Sequence, residues 1–281
     1  MSITQKYKSK IQEPQYWLTS LQGKRAQNED KHNVLVNIKG EHECAPINFY
    51  AVYDGHGGKF VSNFLSQNLP QCFLHKKVIY PLKKTFVKKI YNYWQNELIE
   101  KHKRYSTNTG STCLIVVHYK ESSSGTEYLN ILNTGDSRVV ICKNNIGIAL
   151  NKDHKPNWPE ELLRIKKLGG TVEYDGYDWR IQDLSVSRAF GDLSASPYVT
   201  HMPELFKYKI SCDDKFIVVA CDGLWDVFSC QDVVNYILDN CYDLKKNIRI
   251  NKTLNIAKKL GEYAIAKGST DNITAIVVFF D

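Results

Sequence analysis

Short apolar runs rich in β-branched residues recur at 34–38, 48–53, 112–119, 128–133, 138–143, 215–220 and 273–280. Each is bounded by turn-forming residues, so each predicts a strand. Stretches with apolar residues at three- and four-residue spacing predict helices over 59–69, 81–101, 159–168, 231–240 and 253–267. Pro81 and Pro159 open two of these, where a first turn tolerates a missing N–H, and Gly169 stands where a left-handed cap ends a helix. The strands come in adjacent sets with the helices grouped between them. That order predicts an α+β fold of antiparallel sheets covered by helices, not a doubly wound parallel sheet. No Pro-, Ser- or Gly-rich linker follows Trp17, so residues 14–281 read as a single domain behind a polar, Lys-rich tail at 1–13.

The 281 residues are 43% hydrophobic and 24% charged, which is globular and excludes disordered, collagenous and coiled-coil classes. A chain of this length buries roughly 70–75% of its unfolded surface and needs no disulfide staples. No run of about 18 apolar residues exists to span a bilayer. Met1-Ser2-Ile3-Thr4 has neither the apolar core of a signal peptide nor a glycine for myristoylation. Eight cysteines without a Cys-x-x-Cys pair point to a reduced intracellular chain, cytoplasmic or nuclear, with monomer as the default.

The net charge of +7 is unevenly placed, because nine Lys/Arg between 76 and 104 face only Glu97 and Glu100 there. Leu82, Phe86, Ile90, Tyr93, Trp94 and Leu98 recur at helical spacing through that stretch, which assigns its basic residues to the wet face of an amphipathic helix. A docking surface for acidic partners is the second reading. Base-stacking motifs are missing, so no nucleic-acid partner is expected.

Candidate chemistry lies in the acids at strand ends. The run at 48–53 leads into Asp54-Gly55-His56-Gly57-Gly58, that at 128–133 into Gly135-Asp136-Ser137-Arg138, and that at 215–220 into Cys221-Asp222-Gly223, while Asp271-Asn272 precedes the last strand. In an antiparallel sheet the end of one strand and the start of its neighbour share a rim, so Asp54, Asp222 and Asp271 can converge. Gathered carboxylates repel one another unless a cation sits among them, and an oxygen-only donor set selects hard ions, Mg²⁺ or Mn²⁺, over zinc. The plainer reading keeps each Asp-Gly as a turn. Gly57-Gly58-Lys59 is not a phosphate loop, since Phe60 stands where Ser or Thr binds Mg²⁺. There is no Gly-x-Ser-x-Gly elbow, and no Cys is followed by the Gly-rich turn and Arg of the cysteine-dependent phosphatases.

These residues resemble the metal-dependent protein serine/threonine phosphatase family known as type 2C. The resemblance is carried in order by Gly23-Lys24-Arg25-Ala26-Gln27-Asn28-Glu29-Asp30, residues 50–58, Gly110-Ser111-Thr112, residues 133–138, Asp153-His154-Lys155-Pro156, residues 184–192, 220–227 and 269–274. It implies a four-layer α-β-β-α sandwich of two antiparallel sheets flanked by helices, with two Mg²⁺ or Mn²⁺ ions at one edge and a weaker third. Asp54 would bridge both ions, Gly55 would offer its carbonyl, and Asp222 and Asp271 would hold the second ion. Glu29 and Asp30 would act at the metals largely through water, Asp136 would join Asp222 at the third position, Arg25 would grip the substrate phosphate, and His56 would be the candidate acid. The implied reaction is hydrolysis of phosphoserine and phosphothreonine in proteins by direct attack of a metal-bridging hydroxide, with no phosphoenzyme. A guanidinium fork suits phosphate better than Lys24, and a histidine titrating near neutrality suits a poor alkoxide leaving group.

Asp226 and Arg188 also match the family, with a supporting role in the loop after Asp222 and a carboxylate pair as their plain readings. Asp136 has a plain reading too, as part of a tight Asp-Ser-Arg turn with a local ion pair. Asn28 departs from the more usual Met, a change expected to affect packing rather than charge. Residues 170–184 match a flap in which Gln182 and Asp183 replace smaller residues, and in which Asp175, Tyr177 and Trp179 are expected to affect substrate choice. The alternative function is a phosphatase-like pseudoenzyme acting as a scaffold, a class that loses the metal carboxylates kept here.

Overall fold

The computed structural model describes residues 14–38, 46–75, 77–121 and 123–280, so the expected tail at 1–13 lies outside the described residues. Two five-stranded antiparallel sheets form the centre. One runs Tyr16–Leu21, Ile273–Phe279, Asp214–Ala220, Arg138–Lys143, Ile146–Ala149, and the other Glu204–Lys209, Glu127–Thr134, Cys113–Lys120, Ile47–Tyr53, Lys31–Ile38.

Alternate residues of each central strand serve different layers. Tyr50 and Val52 join Leu114, Val116, Ile217 and Val219 between the sheets, while Phe49, Ala51 and Tyr53 turn outward against the helices Phe60–Leu74 and Lys84–Lys101. On the other sheet, Phe216, Val218 and Ala220 pack outward against Cys230–Cys241 and Ile256–Ala266. Both faces of these strands are buried, which is why their sequences read as continuous apolar runs without alternation. The result is the α-β-β-α sandwich that the resemblance implies. Among the described residues no helix is long and apolar enough to cross a membrane.

Three expectations need correcting. Pro81 does not open a helix: it follows a cis Tyr80–Pro81 bond, and the helix begins at Lys84. Of the expected core stripe, Leu82 and Leu98 are buried and Phe86, Ile90 and Trp94 pack against the same core, but Tyr93 is exposed, and Val87, Tyr91 and Gln95 are buried as well. The strands Tyr16–Leu21, Ile146–Ala149 and Glu204–Lys209 were not expected from the pattern; all three end a sheet order and are only half-buried or exposed over most of their length.

Strand register brings the site together. Ala220 lies opposite both Ala275 and Arg138, and Leu114 lies opposite both Val52 and Asn133. The loops that carry Asp54, Asp136, Asp222 and Asp271 therefore leave the two sheets at one rim.

Candidate metal and phosphate site

A cleft of about 560 Å³ at that rim is lined by Arg25, Glu29, Asp54, Gly55, His56, Asp136, Asp222 and Asp271 among others. Carboxylate oxygens of Asp54, Asp136 and Asp222 all lie within 4.8 Å of one another. Asp30 is buried at 3% exposure beside Asp54 and Cys221, and neither of its oxygens has a hydrogen-bond donor.

Local backbone chemistry holds these side chains. Asp54 donates its N–H to Thr112 Oγ1 at 3.1 Å and accepts Thr112 N–H at 2.9 Å, pinning the strand end. A Cβ on Gly55 would stand 2.5 Å from the Glu29 carbonyl oxygen, so only glycine lets these two segments meet. Glu29 accepts Gly58 N–H at 3.1 Å, and its own N–H donates to Asn272 Oδ1 at 2.8 Å. Asn272 Nδ2 in turn donates to the carbonyls of Gln22 and Gln27 at 2.8 and 2.9 Å, which ties the Arg25 loop to the Asp271 loop. Asn28 acts through hydrogen bonds rather than through packing as expected: Oδ1 accepts Asp30 N–H at 3.0 Å and Nδ2 donates to Ser20 Oγ at 3.1 Å.

The electrostatics are those of crowded acids. Burial, and then the charges of Asp222, Asp30 and Asp136, push the Asp54 carboxyl well above the usual range. Burial likewise raises Asp222, followed by Asp136 and Asp226, with Lys155 offsetting part of the rise. Asp30 is raised to about 6, mainly by burial, and nearby Thr274 and Cys221 compensate only in part. Removing charged carboxylates from water without cations is costly, so the set fits hard divalent ions. Cys221 is no competing soft ligand, because its thiol donates to the Asn272 carbonyl at 3.4 Å and accepts Thr274 N–H at 3.1 Å.

Two cations already touch the cluster. Arg25 Nη2 donates to Asp271 Oδ2 at 2.5 Å with the guanidinium still largely exposed, and Lys155 Nζ donates to Asp136 Oδ2 at 2.6 Å. The ion pair of Asp136 is thus not the local one with Arg138, whose guanidinium pairs with Asp153 at 2.5 Å. Arg188 does pair with a carboxylate, that of Glu161, at 2.6 Å. Asp226 caps the short helix Asp222–Trp225, donating its N–H to the Asp222 carbonyl at 2.8 Å.

His56 Nε2 meets Asp192 Oδ2 at 2.7 Å. Burial disfavours the imidazolium, yet the hydrogen bond to Asp192 and its charge leave the His56 pKa raised. A Cβ on Gly110 would stand 2.0 Å from Asp192 Oδ2 and 2.5 Å from His56 Nε2, so the bare Gly110 backbone makes room for the pair. Neither Asp192 nor Lys155 is expected from the sequence to serve the site, although both lie within the family-like segments 184–192 and 153–156. In the flap, Arg180, Asp183 and Leu184 line the cleft, while Asp175, Tyr177 and Trp179 do not. Asp175 is taken up by Arg180 and by the N–H groups of Tyr177 and Asp178, and Tyr177 is 93% exposed.

Fold and site together define a two-sheet sandwich protein whose rim cleft suits hard divalent cations. The family model described as protein phosphatase 2C matches residues 15–273, and the chain belongs to that family. It is 36% identical over 269 residues to a probable protein phosphatase 2C 11 of Arabidopsis thaliana, covering 95% of this chain and 66% of that relative. A PP2C-like domain-containing protein of Acanthamoeba polyphaga mimivirus is 45% identical over 175 residues, 57% of this chain and 98% of the relative. The crystal structure of a serine-threonine phosphatase 2C from Toxoplasma gondii superposes with a TM-score of 0.74 at 24% identity, covering 96% of this chain and 95% of that one, and supports the fold.

Proposed function

We propose that this chain hydrolyses phosphoserine and phosphothreonine in proteins with Mg²⁺ or Mn²⁺ and without a phosphoenzyme, residues 14–281 acting as one catalytic domain. The observation that carries the reading is the meeting of the Asp54, Asp136 and Asp222 carboxylates in one cleft with Arg25 and His56.

Asp54, the Gly55 carbonyl, Asp222 and Asp271 would hold two ions, with Glu29 and Asp30 supporting them and Asp136 serving a weaker third position. When bound, such ions supply Lewis acidity and ready a water molecule for attack at neutral pH. The chain's own residues do the rest. Arg25 offers a planar, permanently charged fork at the cleft mouth that can take two phosphate oxygens at once. Asp192 holds His56 through Nε2, leaving Nδ1 to protonate the departing serine or threonine alkoxide. Water attacks phosphorus as the P–O bond to the side chain breaks, the His56 proton moves to that oxygen, and the attacking water gives up one of its own protons to solvent. Cys221, which lies beside Asp30 and Asp54, has its thiol engaged with backbone, and this supports attack by water instead of by a thiolate.

Purified protein is expected to release phosphate from a phosphothreonine peptide with Mn²⁺ or Mg²⁺. Asp54→Asn or Asp222→Asn should lower kcat by ~10²-fold or more while the circular dichroism spectrum is kept, because these side chains stabilise charge at the reacting centre. Equal turnover in excess chelator would overturn the reading, and binding of phosphopeptide without any turnover would favour the scaffold.

A further inference from the structure

On the far side of Gly57 from the acidic cleft lies a second groove of about 710 Å³ whose polarity is reversed. Lys31, Lys59 and Arg104 line it, and no carboxylate does. Lys31 Nζ donates only to the Asp30 backbone carbonyl, at 2.8 Å, and among the described residues Lys59 and Arg104 form no ion pair. The rings of Phe60 and Tyr105 stack at a 5.0 Å centroid distance on one wall, and Tyr105 is 55% exposed. Asn63 and Asn108 add hydrogen-bonding groups. Most of the basic helix lies elsewhere: among the described residues of the lysine- and arginine-rich stretch at 76–104, only Arg104 reaches this groove.

Gly57 lines both the cleft and the groove, so a peptide with its phosphorylated residue among the carboxylates can run directly into the basic side. Unpaired cations around a concave surface attract an anionic segment, and the rings offer an apolar floor for its methylenes. The charges are spread along the walls on three separate segments of the chain, an arrangement that suits several carboxylates in a row. We infer that the groove formed by Lys31, Lys59 and Arg104 beside Gly57 binds Asp and Glu residues flanking the phosphorylated residue of the substrate. This inference rests on the phosphatase reading and names the substrate class of the same site.

The test compares phosphothreonine peptides whose flanks carry Asp and Glu, on either side, with peptides carrying Asn and Gln there. The parent protein should favour one acidic arrangement by ~10-fold in kcat/KM, with most of the difference in KM, as expected for a few solvent-accessible charge pairs. Lys59→Glu/Arg104→Glu should remove or invert that preference while p-nitrophenyl phosphate turnover is unchanged. Lys59→Gln and Arg104→Gln, singly, give the same reading in smaller steps should the double variant fold poorly. Equal rates for acidic and neutral peptides, or a preference that survives in the variants, would overturn the inference. So would a far stronger preference for a second phosphate in place of the carboxylates. If nothing is hydrolysed, the phosphatase reading fails, and fluorescence anisotropy of a labelled acidic-flank peptide on parent and variant protein still tests the groove.

Discussion

Asp192 does not line the acidic cleft, yet it is the carboxylate that orients His56. A general acid matters most when the leaving group is a poor one, so the pair should be exposed by changing the leaving group. Asp192→Ala is expected to lower kcat on a phosphothreonine peptide by ~10²-fold, and to lower it only a few-fold on p-nitrophenyl phosphate, whose phenolate departs without a proton. Equal losses on both substrates, measured side by side, would show that Asp192 serves the fold instead. The cleft-lining carboxylates Asp54, Asp136, Asp222 and Asp271 were legible in the sequence because each lies at a strand end beside Gly or Asn. Asp192 was not, because its partner lies 136 residues away and only the apposition of the two-residue strands Gly55–His56 and Phe190–Gly191 on either side of Gly110–Ser111 brings them together. Lys155 escaped for the same reason: a lysine in a loop carries no signal until Asp136 is placed beside it.

The helix Pro159–Lys167 shows what an element contributes beyond its own turns. It begins with Pro at its first turn and carries Glu160 and Glu161 near its positive end. Glu161 is 3% exposed and bridges Arg188 at 2.6 Å and Arg164 at 2.8 Å, and Arg164 also donates to the Ser187 and Tyr198 carbonyls. The helix is thereby fastened to the segment that runs from the flap to Asp192. Burial opposes the Glu161 charge, but the two guanidiniums hold its pKa down at about 2. Glu161 therefore adds stability above the ordinary glutamate range, and that share is lost as pH falls from ~4.3 through about 2. Glu161→Gln should cost ~3 kcal/mol at neutral pH, since it strands two partly buried arginines. In urea titrations the gap between variant and parent should narrow as the pH falls through that window, and a gap independent of pH would remove the ionic explanation. At this scale the sequence was legible where strands are buried on both faces. It missed the edge strands Tyr16–Leu21 and Glu204–Lys209, which mix polar and apolar residues too evenly to resemble a core strand, although the edge strand Lys31–Ile38 was legible from its apolar run at 34–38.

Across the whole molecule, the two sheets converge on acids that repel one another. Asp54, Asp222, Asp30 and Asp226 all have carboxyl groups raised by burial, and each is raised further by neighbouring acids, so the folded chain holds a strain that the unfolded chain lacks. Lys155 and Arg25 pair with Asp136 and Asp271, and Lys155 offsets only part of the rise at Asp222 and Asp226. A divalent ion that binds this rim, and not the unfolded chain, must therefore stabilise the fold by mass action, by about 2.7 kcal/mol at a hundredfold excess over its Kd. Adding Mn²⁺ or Mg²⁺ to metal-free protein should raise Tm by several degrees, and excess chelator should reverse the rise together with activity. Asp54→Asn removes one of the repelling charges as well as a ligand. It should accordingly melt no lower than the parent in chelator, yet gain much less from Mn²⁺. A metal-independent Tm in the parent, or an undiminished Mn²⁺ response in Asp54→Asn, would show that these carboxylates do not share an ion.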